Sequence, residues 1–182
     1  MKKTFFSCAA LLMAATLTAQ KVFTKNGSIS FFSKTALENI SADNNQVTSV
    51  LNQQTGDLQF YVLIKAFHFK KALMEEHFNE NYMESDKYPK AIFKGTITDV
   101  GQVNFTKDAT YPVTVTGDLT IHGISKKVTV PATIQVQSGV AVASAKFNVK
   151  PADYGISIPR LVKDNIAQTI QIAVNCNYTQ KL

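Results

Sequence analysis

Three histidines, one cysteine outside the N-terminal segment and scattered carboxylates are the residues of this chain that could do chemistry, and their spacing argues against most of it. His68, His77 and His122 form no i,i+4 pair and no Cys–His arrangement of the kind that holds zinc, so no metal site is assigned. Serines are plentiful, yet none lies in a G-x-S-x-G turn, and no glycine-rich loop offers to cradle a phosphate. No catalytic residue and no cofactor site follows from the pattern. Cys176 shares one face of the last predicted strand with Ile170, Ile172, Val174 and Tyr178, which is the setting of a small buried hydrophobe rather than of a reactive thiol.

What the sequence offers instead is a set of apolar stripes. In Asp57–Ile64 the residues Leu58, Phe60, Val62 and Ile64 alternate with Gln59, Tyr61 and Leu63, a period of two that commits one face of a strand to a core. Over 111–121, Tyr111, Val113, Val115, Leu119 and Ile121 oppose Pro112, Thr114, Thr116, Asp118 and Thr120. Over 127–136, Val128, Val130, Ala132, Ile134 and Val136 oppose Lys127, Thr129, Thr133 and Gln135. The shared register predicts that Val113, Val115, Leu119, Ile121, Val130, Ile134, Ile170, Ile172 and Val174 point into one interior. Gly95 and Gly117 fall on strands, where glycine is otherwise weakening. They permit sharp bends or leave room for a ligand.

Eight strands are expected, near Val22–Lys34, Gln46–Gln53, Asp57–Ala66, Ile92–Gly101, Tyr111–His122, Lys127–Gln137, Val140–Val149 and Ile166–Tyr178. Asn26-Gly27, Gly56-Asp57, His122-Gly123 and Ser138-Gly139 supply turn chemistry, and a helical turn is expected at Lys34–Ile40 before Ala42-Asp43-Asn44. The period changes only at about 71–83, where Met74, Phe78 and Tyr82 fall four apart among Glu75, Glu76, Asn79 and Glu80. That spacing marks a short amphipathic helix, and Pro89 closes the segment. Many strands joined by short turns argue an antiparallel meander, closed or nearly so. The fold class is therefore all-β, an eight-stranded antiparallel barrel with one short α-helix.

The N-terminus reads as a secretory signal over 1–19: a basic Met1-Lys2-Lys3, an apolar run and a small-residue end at Thr18-Ala19. Cys8 lies inside the apolar run, not at its end, which argues against a lipid anchor. No later run approaches the ~20 apolar residues of a membrane span. Cleavage leaves one domain, 20–182, and lowers the formal charge from +6 to +4. Arg160 is the single arginine and the lysines are interspersed with acids, so the footprint of a nucleic-acid binder is missing. The expected location is the periplasm or the exterior.

The chain also resembles the YceI family, secreted bacterial lipocalin-like proteins. The resemblance rests on Met74, His77-Phe78, Tyr82, Tyr88-Pro89 and Ala91-Ile92-Phe93-Lys94-Gly95. It extends to Gly117–Lys126 and to Asp153-Tyr154-Gly155-Ile156 with Asp164. Lys150-Pro151-Ala152 depart from the family pattern, in which an arginine is common. The resemblance implies a barrel holding a long apolar ligand, often a polyisoprenoid, without catalysis.

Burial alone can hold such a ligand. At roughly 0.8 kcal/mol per CH₂ an isoprene unit contributes about 4 kcal/mol, and three units about 12 kcal/mol, before association costs. The expected partner is an isoprenoid, a quinone or a fatty-acid-like lipid. Candidate lining residues are Phe60, Val62, Phe93, Val113, Val115, Leu119, Ile134, Ile170, Ile172 and Val174. Candidates for contact with a head group are His77, Lys94 and Lys126, with Lys70 and Lys71 nearby in sequence. A barrel of this size stands at the boundary between filled and hollow, so a filled-core interaction module stays open as the alternative. Oligomeric state is open too, a homodimer included.

Overall fold

A computed structural model describes residues 21–182, so the expected signal peptide lies outside the described residues. The long strands are Lys21–Lys34 (β1), Asn39–Asn52 (β2), Asp57–Leu63 (β3), Lys90–Ile97 (β5), Ala109–Ile121 (β6), Ile124–Gln137 (β7), Val140–Val149 (β8) and Ile170–Tyr178 (β9). Two short strands, His68–Phe69 (β4) and Gln180–Lys181 (β10), attach to β2 and β1. The long strands pair antiparallel in order, and β1 bonds both β2 and β9, which closes an eight-stranded barrel.

Alternating strand direction sorts the connections by end. The 35–38 turn, the long 64–89 segment, the 122–123 turn and the 150–169 segment gather at one end, called the mouth below. The opposite end receives the 98–108 connection, whose Val103 and Phe105 join the core. Core packing is densest there, around Val22, Val47, Leu51, Ile97, Val113, Val136, Ala141 and Cys176. Tyr178 donates its hydroxyl to Ser49 at 2.7 Å, and Ser49 passes its own to the Gln59 carbonyl at 3.0 Å. This buried polar pair is thus fully satisfied. Burial pushes the Cys176 thiol up to about 12, so it is inert packing.

Two hairpins carry the backbone their sequences demand. His122 and Gly123 have φ of 51° and 75°, and Ser138 and Gly139 have 50° and 76°. Positive φ at both central residues is the signature of the tight turn that matches strand twist.

Several expected boundaries move. Asn26-Gly27 makes no turn but a bulge within β1, where the register to β2 shifts. The segment 34–40 is no helix. Thr35 Oγ1 accepts from the Leu37 and Glu38 amides, tightening a hairpin turn, and β2 starts at Asn39 rather than Gln46. Asn44 sits fully buried inside β2, donating to the Leu63 carbonyl and accepting from the Gln46 amide. Its side chain repairs a bulged ladder, which is why turn-type residues fit mid-strand. The helix comprises Ala72–His77 (α1) and a π-helical turn at Phe78–Tyr82, and β9 starts at Ile170 rather than Ile166.

Gly95 and Gly117 face each other across β5 and β6. A Cβ on Gly117 would lie 2.5 Å from Gly95 Cα and 2.7 Å from Phe93 Cζ. The space these glycines free is taken by the Phe93 ring, not left open. Gly117→Ala should therefore destabilise the barrel by about 1–3 kcal/mol through overpacking, read from denaturant unfolding. An unchanged midpoint would contradict this packing.

Candidate functional site

Above the packed end the barrel is hollow. A cavity of about 390 Å³ occupies the mouth half, within the roughly 300–1,000 Å³ typical of small-molecule sites. Its wall is the inward face of the strands: Ile29 and Phe31 of β1, Leu58, Phe60 and Val62 of β3, Ala91 and Phe93 of β5, and Val115, Leu119 and Ile121 of β6. Val130, Ala132 and Ile134 of β7, Ala143, Ala145 and Phe147 of β8, and Ile170, Ile172 and Val174 of β9 complete it. The hollow has a compositional cause. Ala132 and Ala145 are cross-strand partners, and Ala143 adjoins them on the same face. Three methyl side chains stand where leucine or phenylalanine would fill the interior.

The structure brings nine of the ten candidate lining residues to this wall: Phe60, Val62, Phe93, Val115, Leu119, Ile134, Ile170, Ile172 and Val174. Val113 points inward but lies below the cavity, buried in the packed end. Of the head-group candidates, His77 reaches the mouth. Lys94 pairs with Asp118 across the outward face of β5 and β6 and is exposed, so alternation carries it away from the interior. Lys126 stands opposite Leu119 but is exposed and outside the lining. Lys70 and Lys71 are exposed as well.

Two segments cover the mouth. Met74, Phe78, Tyr82 and Met83 come from the helical segment, and Ile156, Ile158, Val162 and Ile166 come from the 150–169 connection. The first is fastened by rings. Phe78 stacks on Phe31 at 5.4 Å and meets Phe69 at 5.1 Å and Phe67 at 5.7 Å. Each such pair is worth about 0.5–1.5 kcal/mol beyond area burial. His122 adds a polar fastening: Nε2 lies 2.7 Å from Glu84, Nδ1 lies 3.3 Å from the Tyr154 carbonyl, and the ring meets Tyr88. His122 thus serves the turn and its neighbours rather than the cavity.

The second cover is held more lightly. Beyond Tyr154 its backbone bonds are short-range, such as Val162 N–H to Pro159 O and Asn165 N–H to Val162 O. Two tethers tie it to the β1–β2 hairpin: Asn165 Nδ2 donates to Glu38 at 3.2 Å, and the Ala167 amide donates to buried Ser33 at 2.8 Å. Glu38 also accepts from Lys71 Nζ at 3.3 Å. Asn165's hydrogen bond and then Lys71's hold the Glu38 carboxyl below the usual carboxylate range. These contacts therefore favour the fold above the ordinary carboxylate value and fade as pH falls through the lowered one. Glu38 is the one carboxylate in the lining, and no lysine or arginine is among the lining residues. Sequence reasoning missed Glu38, Asn165 and the apolar residues of this connection. The Ile156-Ser157-Ile158 alternation before Pro159 was the available signal.

Among the described residues no cluster of His, Cys, Asp and Glu could hold a metal, and no helix is long and apolar enough to cross a membrane. A closed antiparallel barrel with an apolar interior open toward one covered end defines a lipocalin-like fold. The model of the YceI-like domain matches residues 6–178, and the chain belongs to that family. A polyisoprenoid binding domain from Saccharophagus degradans, implicated in plant cell wall breakdown, superposes with a TM-score of 0.78 at 13% identity. The match covers 91% of this chain and all of that one. BcnA of Burkholderia cenocepacia gives 0.68 at 17% identity, over 84% of this chain and 96% of that one. At these identities the likeness is one of fold. Comparison with curated proteins yields no match.

The two covers should differ in hydrogen exchange. Amides of Glu75–Tyr82 should exchange slowly with or without bound lipid, while those of 156–166 should exchange faster and gain protection on loading. The reverse order would make the helical segment the moving cover.

Proposed function

We propose that this protein is a noncatalytic carrier that holds an isoprenoid or similar long apolar lipid in its barrel, in the periplasm or outside the cell. The observation that carries the reading is the 390 Å³ interior walled mainly by aliphatic and aromatic side chains, with Glu38 as its one carboxylate and no lysine or arginine in its lining. An apolar chain gains about 0.8 kcal/mol for each CH₂ it buries there, without needing a specific polar partner. The fold shared with a polyisoprenoid binding domain supports the same ligand class. The basic and apolar N-terminal segment supports export, which gives a shielding carrier its use: such tails do not travel free through water. A quinone or fatty-acid-like lipid satisfies the same wall.

Mass spectrometry of organic extracts of the purified protein tests this. A co-purifying apolar lipid is expected, and its loss in Ala145→Phe is expected too, since the new ring would occupy the space beside Ala132 and Val174. That variant should stay folded by circular dichroism because the ring enters empty volume. Lipid-free wild-type extracts, together with no uptake of an added isoprenoid, would favour the interaction module instead.

A further inference from the structure

Ser33 and Glu38 bring hydrogen-bonding groups into a mainly apolar lining from one short stretch of chain. Ser33 continues the inward stripe of Ile29 and Phe31 on β1, and Glu38 ends the turn before β2. Ser33 is 1% exposed. Its Oγ accepts from the Ala167 amide at 2.8 Å, and its own proton meets no acceptor among the described residues. Buried polar groups normally find partners, so a lining hydroxyl with a free donor is a place for one. Glu38 Oε1 accepts from Lys71 at 3.3 Å and Oε2 from Asn165 at 3.2 Å. An ionised carboxylate has about four acceptor sites, so acceptor capacity remains on Glu38. Lys71 is exposed, outside the lining and already engaged with this carboxylate. The remaining polar side chains of the lining, His77, Tyr82, Ser144, Tyr154 and Asn165, carry no permanent charge.

We infer that Ser33 and Glu38 form the head-group subsite of the cavity and select a lipid that ends in a hydroxyl. Ser33 donates its proton to the head-group oxygen, and the head group donates its own to a Glu38 carboxylate oxygen. A hydroxyl both accepts and donates, so it meets both free capacities at once. A phosphate or carboxylate head brings acceptors and negative charge to a carboxylate, with no lysine or arginine in the lining to offset it. A hydrocarbon end leaves the Ser33 proton without a partner. This choice of head group rests on the carrier reading, since it requires an apolar tail to fill the interior behind it.

Three compounds with one tail are the test: farnesol, the hydrocarbon farnesene and farnesyl diphosphate, each displacing a fluorescent apolar dye from the purified protein. Wild-type protein should bind farnesol at least about tenfold tighter than farnesyl diphosphate. Glu38→Ala should weaken farnesol about tenfold and Ser33→Ala about fivefold, with farnesene held within about twofold in both. Both side chains also tether the 150–169 connection, so farnesene reports any loosening of that cover, and the difference between the two ligands isolates the head group. Glu38→Gln keeps an acceptor and removes the charge, so it should retain farnesol better than Glu38→Ala and narrow the gap to the diphosphate. Equal loss of farnesol and farnesene in either alanine variant would overturn the inference and leave the carrier reading standing. Wild-type binding of the diphosphate as tight as that of farnesol would do the same. No binding of any of the three would overturn the carrier reading and the subsite with it.

Discussion

Closure of the sheet through β1 is the constraint on which everything else depends. By bonding β2 on one side and β9 on the other, β1 leaves the barrel no open edge along the paired length. A closed eight-stranded ring fixes its own circumference, so interior space is decided only by the volumes of inward side chains. Bulky residues and the 98–108 connection fill one end. At the other, three neighbouring alanines on β7 and β8 leave a void that the surrounding ring cannot collapse to remove. A cavity of this kind is maintained by the strand hydrogen bonds of its own wall, which is why an apolar hollow can coexist with a stable fold.

The strand faces were readable because alternation in β3, β6, β7 and β9 is unbroken, and a one-residue slip would expose every apolar side chain. The bulges were not. Asn26-Gly27 and Asp43-Asn44 look like turns locally, and only the partner strand determines that they are absorbed mid-strand. Depth was equally hidden. Val113 and Val115 are alike in sequence, yet one lies in the packed end and the other on the cavity wall, because the fill of the opposite strands decides the floor. Lys94 was named for head-group contact although alternation was enough to exclude it, one residue from Phe93 and therefore on the other face. The alanines of β7 and β8 did not announce a hollow barrel in the sequence, since alanine is also common in filled cores, and only their placement side by side shows the void.

The two covers illustrate a division between fixed and loose parts of one rim. Aromatic packing is broad, apolar and indifferent to pH, and it holds the helical segment. Glu38 is a single carboxylate that joins the hairpin, Lys71 and Asn165 by charge-assisted hydrogen bonds, so the 150–169 connection depends on a polar junction at the water boundary. Ser33 adds a second junction from inside. Attachment at the rim is therefore divided between apolar and polar contacts.

The pairing of Gly95 with Gly117 beneath Phe93 has a geometric consequence. At the packed end the bore is filled by bulky side chains, and at the alanines of β7 and β8 it is open. At the glycine pair the backbone is bare and a single aromatic ring lies across it. The free width there depends on where that ring lies as well as on the circumference of the sheet. Any side chain larger than hydrogen at either glycine would displace that ring, so the inward position of Phe93 and the composition of the strand pair beneath it stand or fall together.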